Sequence, residues 1–227
     1  MDDADRMNKR DTQSGAQLRS MRREYSRPPL HRSDLLADPL AQFQQWLNEA
    51  IAAQVPEPNA MTLATVAEDG GVSSRVVLLK ELDQRGFVFF TNYQSRKGRE
   101  IAADAHVALT FVWLELERQV RVRGVAKKLS RAASQAYFAQ RPRRSQIAAW
   151  ASAQSTPLAS REQLEAAYAA CETRFGTGTI PCPPYWGGYR VVPQEIEFWQ
   201  GRRDRLHDRF VYTRGRGSRW IITRLAP

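Results

Sequence analysis

The sequence predicts an α+β protein, mainly β, whose strands form a barrel. Runs rich in β-branched and aromatic residues, broken by turns such as "EDGG" and "QRG", fill most of residues 61–129. Helical patterns follow, and the chain returns to β-rich runs after residue 188. This order is typical of one sheet that the late strands complete. Because 227 residues suffice for one sizeable core, we expect a single domain over residues 25–227.

The first predicted helix begins at Asp38-Pro39, where a capping side chain precedes a proline at the first helical position. Pro56 follows its end. Its apolar residues recur at helical spacing: Leu40, Phe43, Leu47 and Ile51. Strands are predicted next over residues 61–67, 72–83, 87–91, 106–114 and 118–129. A short helix over residues 95–105, with Ser95 as its expected cap, interrupts them.

The later part of the chain is predicted to be helical and then β. Pro142 divides a helical pair, "SRAASQAYFAQR" and "RRSQIAAWA", and another helix covers residues 160–175. The last strands are predicted over residues 189–200, 205–213 and 219–225. Residues 1–24 are polar and without periodicity, so we expect them to be mobile.

The stretch "RLHDRF" concentrates positive charge in the second of these late strands. Side chains alternate across a strand, so Arg205, His207 and Arg209 are expected on one face, with Leu206 and Phe210 on the core face. The cationic groups repel one another unless an anion lies among them. The alternative is an edge strand whose arginines face water and discourage aggregation.

Composition narrows the possible partners. The formal charge of +10 indicates an anionic partner. No apolar run approaches the ~20 residues of a membrane helix, so no membrane contact is expected. The N-terminus is too charged for a signal peptide. Cys171 and Cys182 fit a reducing compartment better than a disulfide scaffold, and we expect a cytoplasmic protein.

The sequence lacks the motifs that are typical of several kinds of active site. There is no G-x-x-x-x-G-K-[ST] loop, no G-x-G-x-x-G fingerprint after a strand and no G-x-S-x-G elbow. His31, His106 and His207 are scattered, and no Cys or His pair has zinc spacing, so no metal is predicted. Any phosphate would therefore have to be bound by Arg, Lys and hydroxyl side chains from separate strands.

Two basic pairs are candidates for such a site. Arg75 and Lys80 are five residues apart, so an unbroken strand would direct them to opposite faces and toward different anions. Arg96 and Lys97 stand at a predicted helix N-terminus, where the helix dipole already attracts anions. Basic residues are unfavourable at that position, and a nearby anion would explain them.

Polar side chains on one later strand and one helix extend this set. Gln119 shares a predicted strand face with Arg121 and Arg123, and Tyr137 and Arg141 are i,i+4 neighbours on a helix. Each also has a structural alternative, because the two strand arginines are consistent with a solvated face and Arg141 with a helix C-terminus.

Eight segments together resemble the pyridoxamine 5'-phosphate oxidase family: "RVVLLK", "FFTNYQSRKG", "LERQVRVRG", "YFAQRPRRSQIAAW", "AQS", "WGGYRV", "IEFWQGRRDRLHDRF" and "RLAP". The resemblance runs from residue 21 to residue 227, and the C-terminal block is its most specific part. It implies a split β-barrel of the FMN-binding type, with peripheral helices, that forms a homodimer and binds FMN at the subunit interface.

The resemblance also implies residue roles. The FMN phosphate end would be held by Arg75, Arg96, Lys97 and Ser155, with Thr91 and Gln154 nearby. Other parts of the flavin would contact Gln119, Trp199 and Arg209. Further cofactor contacts would come from Val76, Val77, Leu78, Leu79, Lys80 and Phe90. Phe90 departs from the Tyr of some relatives, which matters little if the position contributes backbone. The substrate phosphate would be bound by Lys80, Tyr137, Arg141 and Ser145.

Two further groups would complete the implied site. Arg205 and His207 would lie at the pyridine ring as the catalytic candidates, and Arg22 and Tyr25 would fold over it. The implied reaction oxidises pyridoxamine or pyridoxine 5'-phosphate to pyridoxal 5'-phosphate, with O2 as acceptor and H2O2 as product, and with ammonia released from the amine. Alternatives are a split-barrel flavoprotein of other specificity and a basic nucleic-acid-binding protein with its "RGRGS" tract. Nucleic acid is not expected as a partner, since no recognised binding motif is present.

Overall fold

The computed structural model describes residues 17–215, 217 and 219–227. Within this part of the chain the helices are α1 (Pro39–Ala52), α2 (Arg96–Ala103), α3 (Arg131–Gln140), α4 (Arg143–Ala151) and α5 (Arg161–Phe175). The strands are β1 (Ala60–Val66), β2 (Val72–Leu78), β3 (Glu81–Asp83), β4 (Gly86–Asn92), β5 (His106–Trp113), β6 (Arg118–Lys128), β7 (Trp186–Gln200), β8 (Asp208–Arg214) and β9 (Trp220–Leu225). Of the segment predicted to be mobile, residues 1–16 lie outside the described residues.

The helix starts confirm the capping predictions. Asp38 accepts a hydrogen bond from the Leu40 N–H at the start of α1, and Ser95 accepts one from Gly98 at the start of α2. Of the four spaced apolar residues of α1, Leu40, Phe43 and Leu47 are buried, whereas Ile51 is 56% exposed. The helix ends one residue later, at Ala52, and its buried stripe follows Phe43, Trp46, Leu47 and Ala50.

The sheet is antiparallel and forks at β7. Its order is β2-β1-β5-β6-β7-β4-β3, with β8 on β7 and β9 on β8. β6 pairs along residues 189–200 of β7. The other edge of β7 is divided: residues 186–191 pair with β4, and residues 195–200 pair with β8. This division opens the barrel into two parts and confirms the mainly-β split-barrel prediction.

The strand predicted over residues 72–83 is broken. β2 ends at Leu78 and β3 begins at Glu81, because the chain changes its hydrogen-bonding neighbours between them. Leu79 N–H donates to Asn59 O before β1, whereas Lys80 N–H donates to Val88 O of β4. The prediction that Arg75 and Lys80 occupy opposite faces of one strand is therefore wrong.

The stretch "RLHDRF" is also only partly a strand. A 3-10 turn covers Arg203–Arg205, and Asp204 and Arg205 have positive φ angles of 55° and 60°. The alternation of side chains consequently begins at Asp208, where β8 starts. Phe210 is buried as predicted, but Leu206 is 69% exposed and does not face the core.

The "RGRGS" tract lies between two paired strands. β8 and β9 pair antiparallel up to Arg214 and Trp220, and Gly215 N–H donates to Arg219 O. These contacts fit the predicted hairpin, while residues 216 and 218 of the turn lie outside the described residues. None of the helices in the described ranges is long and apolar enough to cross a membrane.

Buried side chains form two clusters. The larger lies between α1 and the sheet and includes Phe43, whose ring centroid lies 4.9 Å from that of Phe87 and 4.6 Å from that of Phe111. The smaller contains Phe138 and Trp186 and packs α3, α4 and α5 against the start of β7. Such close aromatic contacts add to the area buried. The helical layer is thereby fixed beside β2 and β4.

Candidate functional site

A cavity of about 650 Å³ lies between β2, β4 and the helices α3 and α4. It is called the first cavity below. Its wall contains most of the residues predicted to bind phosphate or cofactor: Arg75, Val76, Val77, Leu78, Lys80, Phe90, Thr91, Lys97, Tyr137, Arg141 and Gln154. Asn92, Ala148, Ala149, Ser152 and Trp186 complete the wall. Because the strand breaks after Leu78, Arg75 and Lys80 contribute to this same cavity.

The carboxylate of Glu100 ties two predicted phosphate ligands together. Arg75 Nη2 lies 3.0 Å from Glu100 Oε2, and Arg96 Nε lies 2.8 Å from Oε1. Thr65 and Ser73 donate their hydroxyl protons to Oε2 over 2.5 and 2.7 Å. Burial alone would raise the pKa of Glu100, but these hydrogen bonds outweigh it and lower the pKa to about 2. Arg96 is thus linked to Arg75 although it does not line the cavity.

Lys97 reaches the cavity from the first turn of α2. Its Nζ lies 3.3 Å from Gln154 Oε1, and Thr91 Oγ1 donates to the same oxygen over 3.4 Å. Burial, followed by the charge of Arg75, lowers the pKa of Lys97. Ser155, next in the chain, is exposed with a φ of 71° and does not line the cavity. An anion between Lys97 and Arg75 would relieve their repulsion.

Arg141 is held in place by ring contacts. Its guanidinium carbon lies 4.7 Å from the centroid of Trp186 and 5.6 Å from that of Phe138. Its Nη1 atom is buried and has no hydrogen-bond partner among the described residues. Burial lowers the pKa of Arg141, the first cause being desolvation. An unpaired buried N–H is costly, so this geometry favours an acceptor bound in the cavity.

Tyr137 forms the wall beside Arg141. Its ring stacks on Phe90 with a centroid distance of 3.8 Å and an interplanar angle of 10°. Burial raises the pKa of Tyr137 despite the opposing charge of Arg141. The hydroxyl is therefore protonated at neutral pH and is able to donate a hydrogen bond. Ser145, in the first turn of α4, and Leu79, in the larger core cluster, are not on the wall.

A second cavity, of about 410 Å³, lies at the other end of β7. It contains four further predicted substrate or catalytic residues and one predicted flavin contact: Arg22, Tyr25, Arg205, His207 and Trp199. Ser145 lines neither cavity. Met21, Arg23, Glu24, Arg202 and Asp204 complete its wall. This second cavity therefore gathers the N-terminal segment and the turn before β8.

His207 is oriented within the second cavity by backbone. Its Nδ1 atom accepts a hydrogen bond from the Arg202 N–H over 3.1 Å. Burial and then the charge of Arg205 lower the pKa of His207, against a smaller opposite effect of Asp208. With Nδ1 acting as acceptor, the neutral ring carries its proton on Nε2. His207 is consequently a hydrogen-bond donor toward the cavity at neutral pH.

Gln119, Trp199 and Arg209 form a row across β6, β7 and β8, because Trp199 is the register partner of both other residues. The predicted grouping of these three is therefore present. Arg209 already has an acidic partner, since its Nε lies 2.8 Å from Glu197 Oε1. Arg121 binds the same carboxylate. Burial would raise the pKa of Glu197, but hydrogen bonds from Arg209 and Arg121 lower it.

The acidic partners were missed by sequence reasoning. Glu197 opposes Arg121 in register, and Glu195 opposes Arg123 with an ion pair of 3.6 Å. The strand arginines are therefore neither a bare solvated face nor free anion ligands. Pairing of alternate glutamates in "QEIEFWQ" with alternate arginines in "RQVRVRG" is the signal that could have found them.

The two cavities lie at opposite ends of one strand, β7. Trp186, in the first cavity, begins β7, and Trp199, in the second, lies near its end. Thirteen residues of extended strand correspond to roughly 40 Å. Lys80 and Arg141 therefore stand at one end of β7, and Arg205 and His207 at the other.

Comparisons with known proteins match nearly the whole chain. Residues 47–175 match a family model described as "Pyridoxamine 5'-phosphate oxidase", and residues 186–227 match "Pyridoxine 5'-phosphate oxidase C-terminal dimerisation region". Curated proteins called pyridoxine/pyridoxamine 5'-phosphate oxidase are similar. The one from Burkholderia multivorans is 57% identical over 212 residues, covering 92% of this chain and 99% of the relative. The one from Burkholderia ambifaria is 56% identical with the same coverage.

Two solved structures are similar in fold. PhzG from Burkholderia lata, in complex with tetrahydrophenazine-1-carboxylic acid, has a TM-score of 0.84 at 34% identity. The similarity covers 90% of this chain and all of that chain. A pyridoxamine 5'-phosphate oxidase-related, FMN binding protein from Nostoc punctiforme has a TM-score of 0.65 at 14% identity, covering 82% and 97% of the two chains. The second likeness concerns the fold alone.

Proposed function

The chain belongs to the pyridoxamine 5'-phosphate oxidase family, and from this premise we propose that it oxidises pyridoxamine or pyridoxine 5'-phosphate to pyridoxal 5'-phosphate. FMN is the cofactor, O2 the final acceptor and H2O2 the by-product, with ammonia released from the amine. The observation that carries the proposal is the charge of the first cavity. Arg75, Lys80, Lys97 and Arg141 line it, and none of its lining residues in the described chain is acidic.

The cavity fits two phosphate groups better than one. Arg75 is paired with Glu100 behind the wall, but no acidic lining residue among those described neutralises Lys80, Lys97 and Arg141, so the four cations together still favour bound anions. They form two sets, since Arg75 and Lys97 interact with each other beside Glu100, and Arg141 interacts with Tyr137. We assign the first set to the FMN phosphate and the second set, with Lys80, to the substrate phosphate. Arginine suits this role because its fork binds two phosphate oxygens at once.

The bound FMN would accept a hydride equivalent from the exocyclic carbon of the substrate. The chain's own residues position the reactants. Stacking on Trp186 fixes the guanidinium of Arg141, so the buried Nη1 is already aimed when the substrate phosphate arrives. Such preorganisation lowers the entropy cost of binding.

A second subunit completes the site in this proposal. The second cavity of one subunit closes the first cavity of the other, which brings Arg205 and His207 to the substrate held by Lys80 and Arg141. The separation of the two cavities along β7 supports this arrangement. So does the match of residues 186–227 to a dimerisation region, because that region includes Trp199 and the turn before β8.

Arg205 and His207 orient the ring of the substrate. The planar guanidinium of Arg205 is suited to lie on an aromatic face, and His207 is able to donate its Nε2–H to a ring substituent. Burial, and then the charge of Arg205, lowers the pKa of the imidazole and so favours neutral His207. Tyr25, packed against His207, excludes water from that side. We assign no general base.

A different specificity is the second candidate, favoured by the structural similarity to PhzG. A carboxylate substrate without phosphate would leave the Lys80 and Arg141 set less well neutralised.

We infer cytoplasmic function from the two free cysteines, which fit a reducing compartment. Nucleic-acid binding receives less support, because Arg121, Arg123 and Arg209 already have carboxylate partners.

The test is spectroscopic and kinetic. Purified protein is expected to show a flavin spectrum and to produce H2O2 with pyridoxamine 5'-phosphate. Pyridoxamine without phosphate is the matched control substrate, and it should react at least about 10-fold less efficiently, as expected when a charged hydrogen bond is lost. A protein that takes up no added FMN, or that oxidises both substrates equally well, would contradict the proposal.

A further inference from the structure

Residues 22–30 form a segment without helix or strand, here called the strap, and its residues 22–25 line the second cavity. The strap is attached to the sheet through backbone N–H groups. Ser26 and Arg27 donate to Glu117 Oε2 over 2.9 and 3.1 Å, and Leu30 donates to Asp208 Oδ2 over 3.0 Å. Side chains add three further bonds: Arg27 donates to the Glu115 carbonyl, Arg202 to the Arg27 carbonyl and Arg224 to the Leu30 carbonyl. Most of the strap is exposed, and Glu117 is the one carboxylate among the described residues that accepts two of its backbone N–H groups.

Glu117 is a buried carboxylate whose bonds lead to the strap. The residue is only 4% exposed, and burying a carboxylate is costly unless it is paired or hydrogen-bonded. Its nearest cation is Arg23 of the strap, with Nη2 at 3.9 Å from Oε1. The backbone carbonyl of Glu117 makes separate bonds. It accepts hydrogen bonds from Gly201 N–H over 2.7 Å and from Gln200 Nε2 over 3.1 Å. A side-chain substitution therefore releases the strap while keeping the backbone bonds.

The strap brings Tyr25 against the catalytic candidates. The Tyr25 ring meets Trp199 edge-on at a centroid distance of 5.8 Å and His207 at 5.6 Å. A Cβ atom at Gly201 would lie 2.9 Å from Tyr25 Cγ and 3.0 Å from Glu117 Cβ. Glycine thus permits the close approach of strap, Glu117 and the end of β7.

We propose that Glu117 is a positioning residue that fixes the strap, and with it Tyr25, across the substrate side of the active site. The inference rests on the proposed function for its kinetic consequence, because the second cavity holds His207 and Arg205. Its structural consequence is independent of the reaction: loss of the carboxylate loosens the strap around Ser26 and Arg27, while the bonds of Leu30 and the sheet remain.

Limited trypsin digestion of the FMN-loaded full-length protein tests the structural part. Arg22 and Arg23 lie next to the residues that Glu117 holds, so release from Glu117 should speed cleavage after them, whereas the Arg27-Pro28 bond is resistant. Glu117→Ala should be cut at these sites at least about 10-fold faster than the parent, since two charge-assisted hydrogen bonds are lost. Glu117→Gln retains an acceptor and should be intermediate. Glu115→Ala is the matched control, because Glu115 is exposed in the same turn and only its carbonyl contacts Arg27.

Steady-state kinetics with pyridoxamine 5'-phosphate test the functional part. Glu117→Ala should raise KM about 5- to 20-fold and keep kcat within about 2-fold, because the strap contributes uniform binding. Flavin affinity should not change. Parent-like cleavage rates in Glu117→Ala would overturn the proposal, as would an equal fall of kcat and flavin affinity, which indicates general loosening. If the parent oxidises no B6 phosphate, the proposed function fails, while the digestion still decides the role of Glu117.

Discussion

Arg75 forms an ion pair with Glu100, whose Oε2 atom lies 3.0 Å from Arg75 Nη2, and Glu100 is almost fully buried. Arg75 lines the first cavity, so the pair fixes part of that cavity's wall. Burial would raise the pKa of Glu100, but hydrogen bonds from Thr65, Ser73, Arg96 and Arg75 outweigh it and hold the folded-state pKa at about 2 against an ordinary 4.5. The ionised carboxylate therefore stabilises the fold above pH 4.5, and this contribution is lost as pH falls toward 2. A shift of this size corresponds to about 3 kcal/mol as an order of magnitude.

The first prediction concerns that pH dependence. In Glu100→Gln, the unfolding free energy should fall less steeply between about pH 4.5 and 2 than in the parent. Urea unfolding at a series of pH values measures the difference, with the exposed Glu115→Gln as control. Parallel curves for parent and Glu100→Gln would show that Glu100 titrates normally.

The second prediction separates the two phosphate sets. Arg141→Ala should raise KM for pyridoxamine 5'-phosphate roughly 10- to 100-fold, because it removes a charged hydrogen bond of about 1.5–3 kcal/mol. Lys80→Ala should act in the same direction. Flavin retention should be spared in both variants, as measured by flavin titration. Arg144→Ala, an exposed neighbour on α4, is the control. An equal loss of flavin in these variants would show that Arg141 and Lys80 bind the FMN phosphate and not the substrate phosphate.

The sequence was sufficient for most helices, strands and cavity residues, because Gly/Pro punctuation and capping are local signals. It did not predict the place where one predicted strand exchanges its hydrogen-bonded neighbour for another. "SRVVLLKELD" has no local signal of a break at Leu79, since the break depends on the neighbouring β1 and β4 strands. Leu206 was misplaced because the left-handed Asp204 and Arg205 disturb the strand periodicity.

Buried glutamates were the other omission. In a charged sequence, Glu100, Glu117 and Glu197 resemble solvated surface residues. Their burial depends on arginines and backbone N–H groups distant in sequence, such as Ser26, 91 positions from Glu117. Only the folded chain brings those partners together.

The third prediction distinguishes Arg205 from Arg209. Arg205→Lys keeps the charge but loses the planar fork, so it should retain FMN while kcat/KM falls roughly 10- to 150-fold. Arg209→Ala should lower FMN affinity, and added FMN should partly restore activity. In that variant Glu197 still has Arg121 as its partner, which limits the damage to the sheet. Parent-like turnover of Arg205→Lys, or unchanged flavin binding by Arg209→Ala, would refute the respective assignment.

The fourth prediction concerns His207. Burial and Arg205 lower its pKa below 6.5, so its NMR titration midpoint should lie below that value in the holoenzyme. Arg205→Gln should move the midpoint upward. The folded state takes up the proton less readily than the unfolded state, so His207 favours folding above pH 6.5 and this contribution declines as pH falls. The chain has three histidines, which makes assignment practical. An unmoved midpoint in Arg205→Gln would exclude direct coupling of the two side chains.

The fifth prediction tests whether each site draws on two subunits. Arg141→Ala and His207→Ala homodimers should each be poorly active at low substrate concentration. If the first cavity of one subunit closes against the second cavity of the other, a mixed dimer contains one doubly damaged site and one intact site. Random mixing gives half mixed dimers, so refolding an equal mixture should recover about a quarter of parent activity. A site built within one chain would leave every subunit damaged, and the mixture would be no more active than the separate variants. Mixing Arg141→Ala with Lys80→Ala is the control: both residues line the first cavity, so every site keeps one defect and no recovery is expected.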